Sequence, residues 1–326
     1  MSWVEVEGEL LEGHGFKADA VIKARKVKPI EHEVDVNFKV MAFDIEMAEE
    51  EDGEKIIMIS YVTNDGKQGL LTTKEWQGKQ DWVEVLANEK LMLKRFLELV
   101  NNFNPDFIVG YNSDSFDFLK IRERCQKYGI SLEIGREIGK KAKIVRRGRI
   151  ASTKFVGIVH VDLYDFIYHI LGPTLKSEVL SLDAVAQELL GIGKLEVKWQ
   201  EISKAWKEGN HLQRIAEYCL HDSRLTLMLA EKILPQIFAL CRLTGLPPFD
   251  VSRLTYSQLD EAYLMRKAVE QGVIIENNPK QEDLQKRRLL PSYTGGFVLE
   301  PKRGIHENII VFDFRSLYPT IMITPT

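Results

Sequence analysis

The chain has 326 residues, 44% hydrophobic and 28% charged, with 44 Lys and Arg against 48 Asp and Glu for a formal net charge of −4. That length builds a sizeable core without staples, and the lack of any apolar run of about 18 residues excludes a membrane-spanning helix. The acidic start over residues 1–11 argues against a secretory leader, and Cys125, Cys219 and Cys241, far apart and in no CxxC pair, argue against a disulfide framework or a zinc site.

Residues 1–36 carry short alternating runs and read as the remnant of a preceding domain. The apolar, β-favouring run at 38–46 predicts a buried strand ending in acids, followed by a second strand at 56–63. Asn64-Asp65-Gly66 is a hairpin signal leading to a third strand near 70–73. Leu93, Phe96, Leu97 and Val100 at helical spacing predict a helix over 89–102, stopped by Asn104-Pro105 before a strand at 107–111. A helix from about 119 to 128, a basic segment, a strand at 157–163 and helices at 182–190 and 212–243 complete an α/β pattern. Beyond Leu246-Pro247-Pro248 the character turns helical, through 259–271, until a glycine-rich joint at Tyr293-Thr294-Gly295-Gly296, and a last strand is expected at 308–314.

Three stretches carry candidate chemistry. Asp44 and Glu46 stand two apart at a strand end, so the pleat points both carboxylates to one face. Adjacent carboxylates repel, and a divalent cation such as Mg²⁺ relieves the repulsion, although two unrelated acids on a solvated strand end share the same pattern. The segment Tyr111 to Asp117 lies where a buried strand passes into a helix, the place where open α/β sheets gather ligands. There Asp114 is expected to cap the helix and Asp117 to bind metal. Tyr218 and Asp222, four apart in a long amphipathic helix, share a face, either as a phenol and a carboxylate that orient a water or as a core Tyr beside an exposed Asp.

Phe-Asp-Ile-Glu at 43–46, Tyr-Asn-x-Asp-Ser-Phe-Asp at 111–117 and Tyr-x-x-x-Asp at 218–222 closely resemble, in order and spacing, the three exonuclease motifs of archaeal-type family B DNA polymerases. The likeness runs from about residue 37 to 324 and includes Asp250-Val251-Ser252-Arg253 and the Tyr293 joint. It implies an α/β, RNase H-like 3′→5′ exonuclease domain, with a mixed sheet and flanking helices, then a helical connector and the start of a polymerase palm. The implied boundaries are 1–36, 37–245, 246–296 and 297–326. It further implies that Asp44, Glu46, Asp117 and Asp222 bind two Mg²⁺ or Mn²⁺ ions, with Tyr218 positioning the attacking water. Related nucleases carry a His five residues before the last Asp; Glu217 stands there, so the chain is of the Tyr type. Asn112 and Phe116 are expected to contact the frayed 3′ end of DNA.

Lys140, Lys141, Lys143, Arg146, Arg147 and Arg149 make the densest positive stretch, expected to be a protruding ribbon that tracks phosphates, with a solvated loop as the alternative. The run from Asp313 to Pro319 resembles the first palm motif, which gives Asp313 a metal and Tyr318 the exclusion of a ribose hydroxyl, but only if another chain completes the palm. The expected function is proofreading of single-stranded or mispaired 3′ ends in the cytoplasm. The expected partners are DNA, a second polymerase chain supplying the rest of palm and thumb, and a sliding clamp. A non-catalytic assembly subunit of a split polymerase is the competing function.

Overall fold

The structure is a computed structural model that describes residues 3–12, 15–30, 36–50, 53–147, 150–193, 199–277, 279–290 and 295–324. The chain divides into two units, Met1–Ile275 and Glu276–Thr326.

In the first unit, β1 (Trp3–Leu10) and β2 (Ile22–Ile30) pair antiparallel as a separate two-stranded ribbon. The main sheet draws on β3 (Val40–Glu50), β4 (Gly53–Thr63), β5 (Gln68–Thr72) and β6 (Val83–Val85), then α1 (Glu89–Phe103), β7 (Phe107–Gly110) and α2 (Asp117–Lys127). There follow a hairpin of β8 (Lys143–Arg147) and β9 (Ile150–Lys154), strand β10 (Val159–Asp162), and the short α3 (Leu163–Phe166), which runs into a π-helical turn. Helices α4 (Leu182–Leu190), α5 (Trp199–Glu208), α6 (Leu212–Thr244), α7 (Pro248–Val251) and α8 (Tyr256–Glu270) complete the unit. The sheet order is β10-β7-β3-β4-β5-β6, with β3 parallel to β7 and antiparallel to β4, and β10 parallel to β7.

Strand β3 explains its own sequence. From Val40 to Ala48 every residue except the half-buried Asp44 is buried, because helices cover both faces of the sheet and leave no solvent side for polar alternation. Met41, Phe43, Ile45 and Met47 pack with Met92, Leu93, Phe96 and Val100 of α1 and Phe118 and Ile121 of α2. Phe43 meets Phe118 at 4.8 Å between ring centroids. On the opposite face Ala42 joins Leu225 and Leu229 of α6, and Ala48 joins Ile215, Ala216 and Cys219. Asp44 and Glu46 alternate with these alanines and so face α6.

Among the elements that escaped the sequence reading, two stand out. Helix α5 buries Ile202, Ala205 and Trp206 against Ala48 and Met58, and Trp206 donates its indole N–H to Glu50 at 2.9 Å. The ribbon β1–β2 also has no strong signal, since many of its apolar side chains stay exposed. The strand expected at 157–163 is β10, and Phe155 just before it enters the core.

The second unit holds α9 (Gln281–Leu289) and α10 (Leu317–Ile323), with no buried residue in either. The strand expected at 308–314 is absent: that stretch is exposed and without a ladder partner among the described residues, and a strand is defined by its pairing. Tyr293 and Thr294 lie outside the described residues.

Glu89, buried at the start of α1, ties three elements together. Its carboxylate accepts the amide of Ile56 at 2.9 Å, Nε of Arg124 at 2.7 Å and the hydroxyl of Tyr128 at 2.8 Å. Glu89→Ala strands a buried guanidinium and is expected to lower the unfolding free energy by about 3 kcal/mol in urea melts, and a loss below about 1 kcal/mol would contradict this reading.

Candidate active site

The carboxylate group is assembled at the middle of β3. Asp44 lies opposite Ser60 on β4, and Glu46 opposite Met58. Helix α6 crosses above this point and is tied to β4 through Ser60, whose hydroxyl donates to the Cys219 carbonyl at 2.7 Å and lies 2.7 Å from the Ser223 hydroxyl. Those bonds fix the turn that bears Tyr218 and Asp222. The Cys219 thiol reaches the Asp44 carboxylate at 3.6 Å, and single donor atoms of Asp44, Glu46 and Cys219 all lie within 4.8 Å of one another. From the other side comes Asp117, the first residue of α2, whose Oδ1 accepts the Ile45 amide at 3.2 Å.

Charge records the convergence. The Asp44 carboxyl is pushed well above its ordinary range, first by burial and then by the charges of Asp117, Asp222 and Glu46, with the Cys219 thiol pulling the other way. Burial also raises Asp117, against hydrogen bonds from its own amide and that of Ile45. The Tyr218 phenol is raised by burial, by Asp222 and Glu46, and by a hydrogen bond to Asp222. A phenol so placed stays protonated and serves as a donor. Burial and the surrounding acids oppose ionisation of Asp44, a conflict that a divalent cation among these carboxylates would relieve, so the residues fit a metal centre.

The loop between β7 and α2 is built tightly. A Cβ at Gly110 would lie 2.5 Å from that of Ser113, and Asn112 takes a left-handed backbone at φ 61°, which Asn tolerates better than most residues. Asp162 at the end of β10 accepts the amides of Asn112 and Asp114, each at 2.8 Å. Asp114 does not cap α2, as its sequence position suggests; Phe116 is the cap residue and makes no side-chain bond there. Instead the Asp114 carboxylate is buried and accepts Nε of Arg253 at 2.7 Å. Burial raises this carboxyl, but His160 and Arg253 more than offset that and hold it below the ordinary Asp value. Asp114, Asp162 and Asp165 form a second close acidic group, yet a guanidinium and backbone amides already occupy it.

Asn112 is half-buried at the loop, and the Phe116 ring is exposed. Arg146 is exposed on β8; Arg147 belongs to the same strand, and Arg149 lies outside the described residues. Asp313 and Tyr318 are both exposed in the second unit, Tyr318 on α10. His221 is half-buried beside Asp222. Cys219, His160, Asp162 and Arg253 gained no role from the sequence, because their partners lie 47 to 175 residues away.

A mixed sheet of this order, helices on both faces and carboxylates converging on its central strand define an RNase H-like nuclease fold. Residues 1–185 match the family described as DNA polymerase family B, exonuclease domain, and residues 253–325 match DNA polymerase family B. The chain belongs to the family B DNA polymerases through its exonuclease domain. It is 39% identical over 296 residues to a DNA polymerase of Pyrococcus glycovorans and equally to one of Thermococcus gorgonarius, covering 90% of this chain and 37% of each relative. Its fold is similar to the family B DNA polymerase of the hyperthermophilic archaeon Pyrobaculum calidifontis, with a TM-score of 0.71 at 26% identity over 93% of this chain and 37% of that one. The chain thus spans little more than a third of the length of these relatives. No helix among the described residues is long and apolar enough to cross a membrane.

The raised carboxyls predict how the metal-free protein behaves. Above the ordinary Asp value of 3.8, the unfolded chain releases protons that the folded site retains, so stability falls as pH rises from there into the neutral range. Asp44→Asn is expected to stabilise the metal-free protein at neutral pH by about 1 kcal/mol. Mg²⁺ is expected to raise the thermal midpoint of the parent and to leave that of the variant nearly unchanged. A variant less stable than the parent without metal would contradict the repulsion.

Proposed function

We propose that the chain is the proofreading 3′→5′ exonuclease part of a family B DNA polymerase, removing single-stranded or mispaired 3′ ends of DNA with two Mg²⁺ or Mn²⁺ ions. The observation that carries this reading is the convergence of Asp117 from α2 and Asp222 from α6 on the Asp44 and Glu46 pair of β3, where burial and then these charges raise the Asp44 carboxyl. Asp44, Glu46, Asp117 and Asp222 would hold the ions. Bound there, divalent cations supply positive charge for the phosphate and the leaving 3′ oxygen. Tyr218, protonated and donating its hydroxyl proton to Asp222, orients the attacking water by accepting a hydrogen bond from it at the phenol oxygen. The exposed ring of Phe116 offers a stacking face to the frayed terminal base, and Asn112 offers amide hydrogen bonds. Lys143 and Arg146, exposed on β8, steer the strand by its phosphates, with Arg147 and Arg149 in the same stretch.

Residues 37–245 would form the exonuclease domain, with residues 1–36 outside it on the N-terminal side. Residues 246–296 would form a connector and 297–326 the beginning of a palm. Asp313 and Tyr318 would bind metal and gate the sugar only within a complete palm, with a second polymerase chain and a sliding clamp as proposed partners. An assembly-only role gives no reason for acids to be buried together at a cost in stability.

A 5′-labelled oligonucleotide incubated with the chain and Mg²⁺ is expected to give a ladder of shortened products, and Asp44→Ala to slow it by at least about 10²-fold. A ladder of undiminished rate in that variant would sink the reading. Arg146→Ala is expected to raise the KM for single-stranded DNA and to reduce the salt slope of binding by about 1, whatever the sequence of the oligonucleotide. An unchanged slope would remove the hairpin from the strand path.

A further inference from the structure

We infer that Arg253 is a positioning residue for the exonuclease site, holding the loop that delivers Asn112, Phe116 and Asp117. The inference rests on the exonuclease reading for its consequence and on separate contacts for its geometry. Arg253 follows α7 and is the first residue of the stretch that matches DNA polymerase family B. Its guanidinium and the Asp114 carboxylate are each 1% exposed and meet at 2.7 Å. Nη1 donates to the carbonyls of His160 and Phe249, both at 3.0 Å, and lies 3.0 Å from the Ser252 hydroxyl. Nη2 sits 3.2 Å from Nδ1 of His160, and the group stacks over the Phe249 ring at 4.1 Å. All three guanidinium nitrogens are thereby committed, and only the planar fork of Arg satisfies such a set.

The partners explain what the fork does. Asp114 lies two residues after Asn112, two before Phe116 and three before Asp117. Its carboxylate also accepts the Thr153 amide at 3.3 Å, and His160 reaches the Ser113 hydroxyl at 2.9 Å. Asp162 holds the amides of the same loop from β10. Consecutive loop residues are therefore each pinned from behind, and the chain that continues from them enters α2 with Asp117 aimed at β3. A buried ion pair adds little net stability compared with an apolar pair of equal shape, and its better-attested use is to fix one arrangement. Here the arrangement fixed is the approach of one metal-binding carboxylate to the others.

The test uses the full chain and Mn²⁺ itself as probe, by calorimetry, alongside hydrolysis of a 5′-labelled oligonucleotide. Arg253→Met, checked for folding by circular dichroism at the assay temperature, is expected to weaken Mn²⁺ binding at least fivefold and to raise the oligonucleotide KM. On an Asp117→Asn background the same change is expected to cost no further Mn²⁺ affinity, because the ligand it positions is already gone. Arg253→Lys, which keeps the charge but not the fork, is expected to weaken Mn²⁺ binding at least twofold, and it carries the test if the methionine variant does not fold. Unchanged Mn²⁺ affinity in a folded variant, or an equal further loss on the Asp117→Asn background, would overturn the inference. A simple loss of folded protein would lower kcat alone. A parent chain that binds Mn²⁺ but leaves DNA intact would sink the nuclease reading, while the binding comparison would still decide the role of Arg253.

Discussion

Placing several carboxylates in a region screened from water is unfavourable twice over, through desolvation and through mutual repulsion, and the architecture is arranged around that conflict. Strand β3 is covered on both faces, and Asp44 and Glu46 face α6, Asp44 half-buried and Glu46 buried. Helix α6 and the start of α2 then bring further acids to the same place instead of cations. The scaffold is stable because the apolar residues that alternate with these acids lock β3 between two helical layers.

The two acidic groups among the described residues make the contrast plain. Around Asp114 and Asp162, a buried guanidinium and backbone amides meet the carboxylates, and the result is a rigid support. Around Asp44 the near neighbours are other acids, a phenol and a thiol, and the carboxyl is driven up. Proximity of acids is common to both; what separates support from metal site is whether the protein supplies the neutralising charge itself. Arg253 belongs to the support and yet touches the loop that feeds the site, which is how a residue so far along the chain comes to bear on the chemistry.

Much of this was legible in the sequence, and for physical reasons. The period of the apolar residues located α1, α4 and α6 closely, and Asn104 does end α1, in a left-handed conformation. The pairing of Asp44 with Glu46 followed from the pleat, and Tyr218 with Asp222 from the helix repeat. Asp114 misled because acids near a helix start usually serve its free amides, whereas here Arg253 outbid them from 139 residues away. Helix α5 carried a readable signal, Ile202, Ala205 and Trp206 at helical spacing, whereas Cys219 gave none because only the fold brings it to Asp44. The expected strand at 308–314 failed for the opposite reason: β-favouring residues make a strand only where a ladder partner stands beside them.

The account depends on metal bound among acids from three separate elements. Crystals of the chain soaked with Mn²⁺ and measured at the manganese edge test this directly. Anomalous peaks coordinated jointly by Asp44, Glu46, Asp117 and Asp222 are the predicted result. Manganese bound elsewhere, with Asp117 or Asp222 turned away from Asp44, would contradict it.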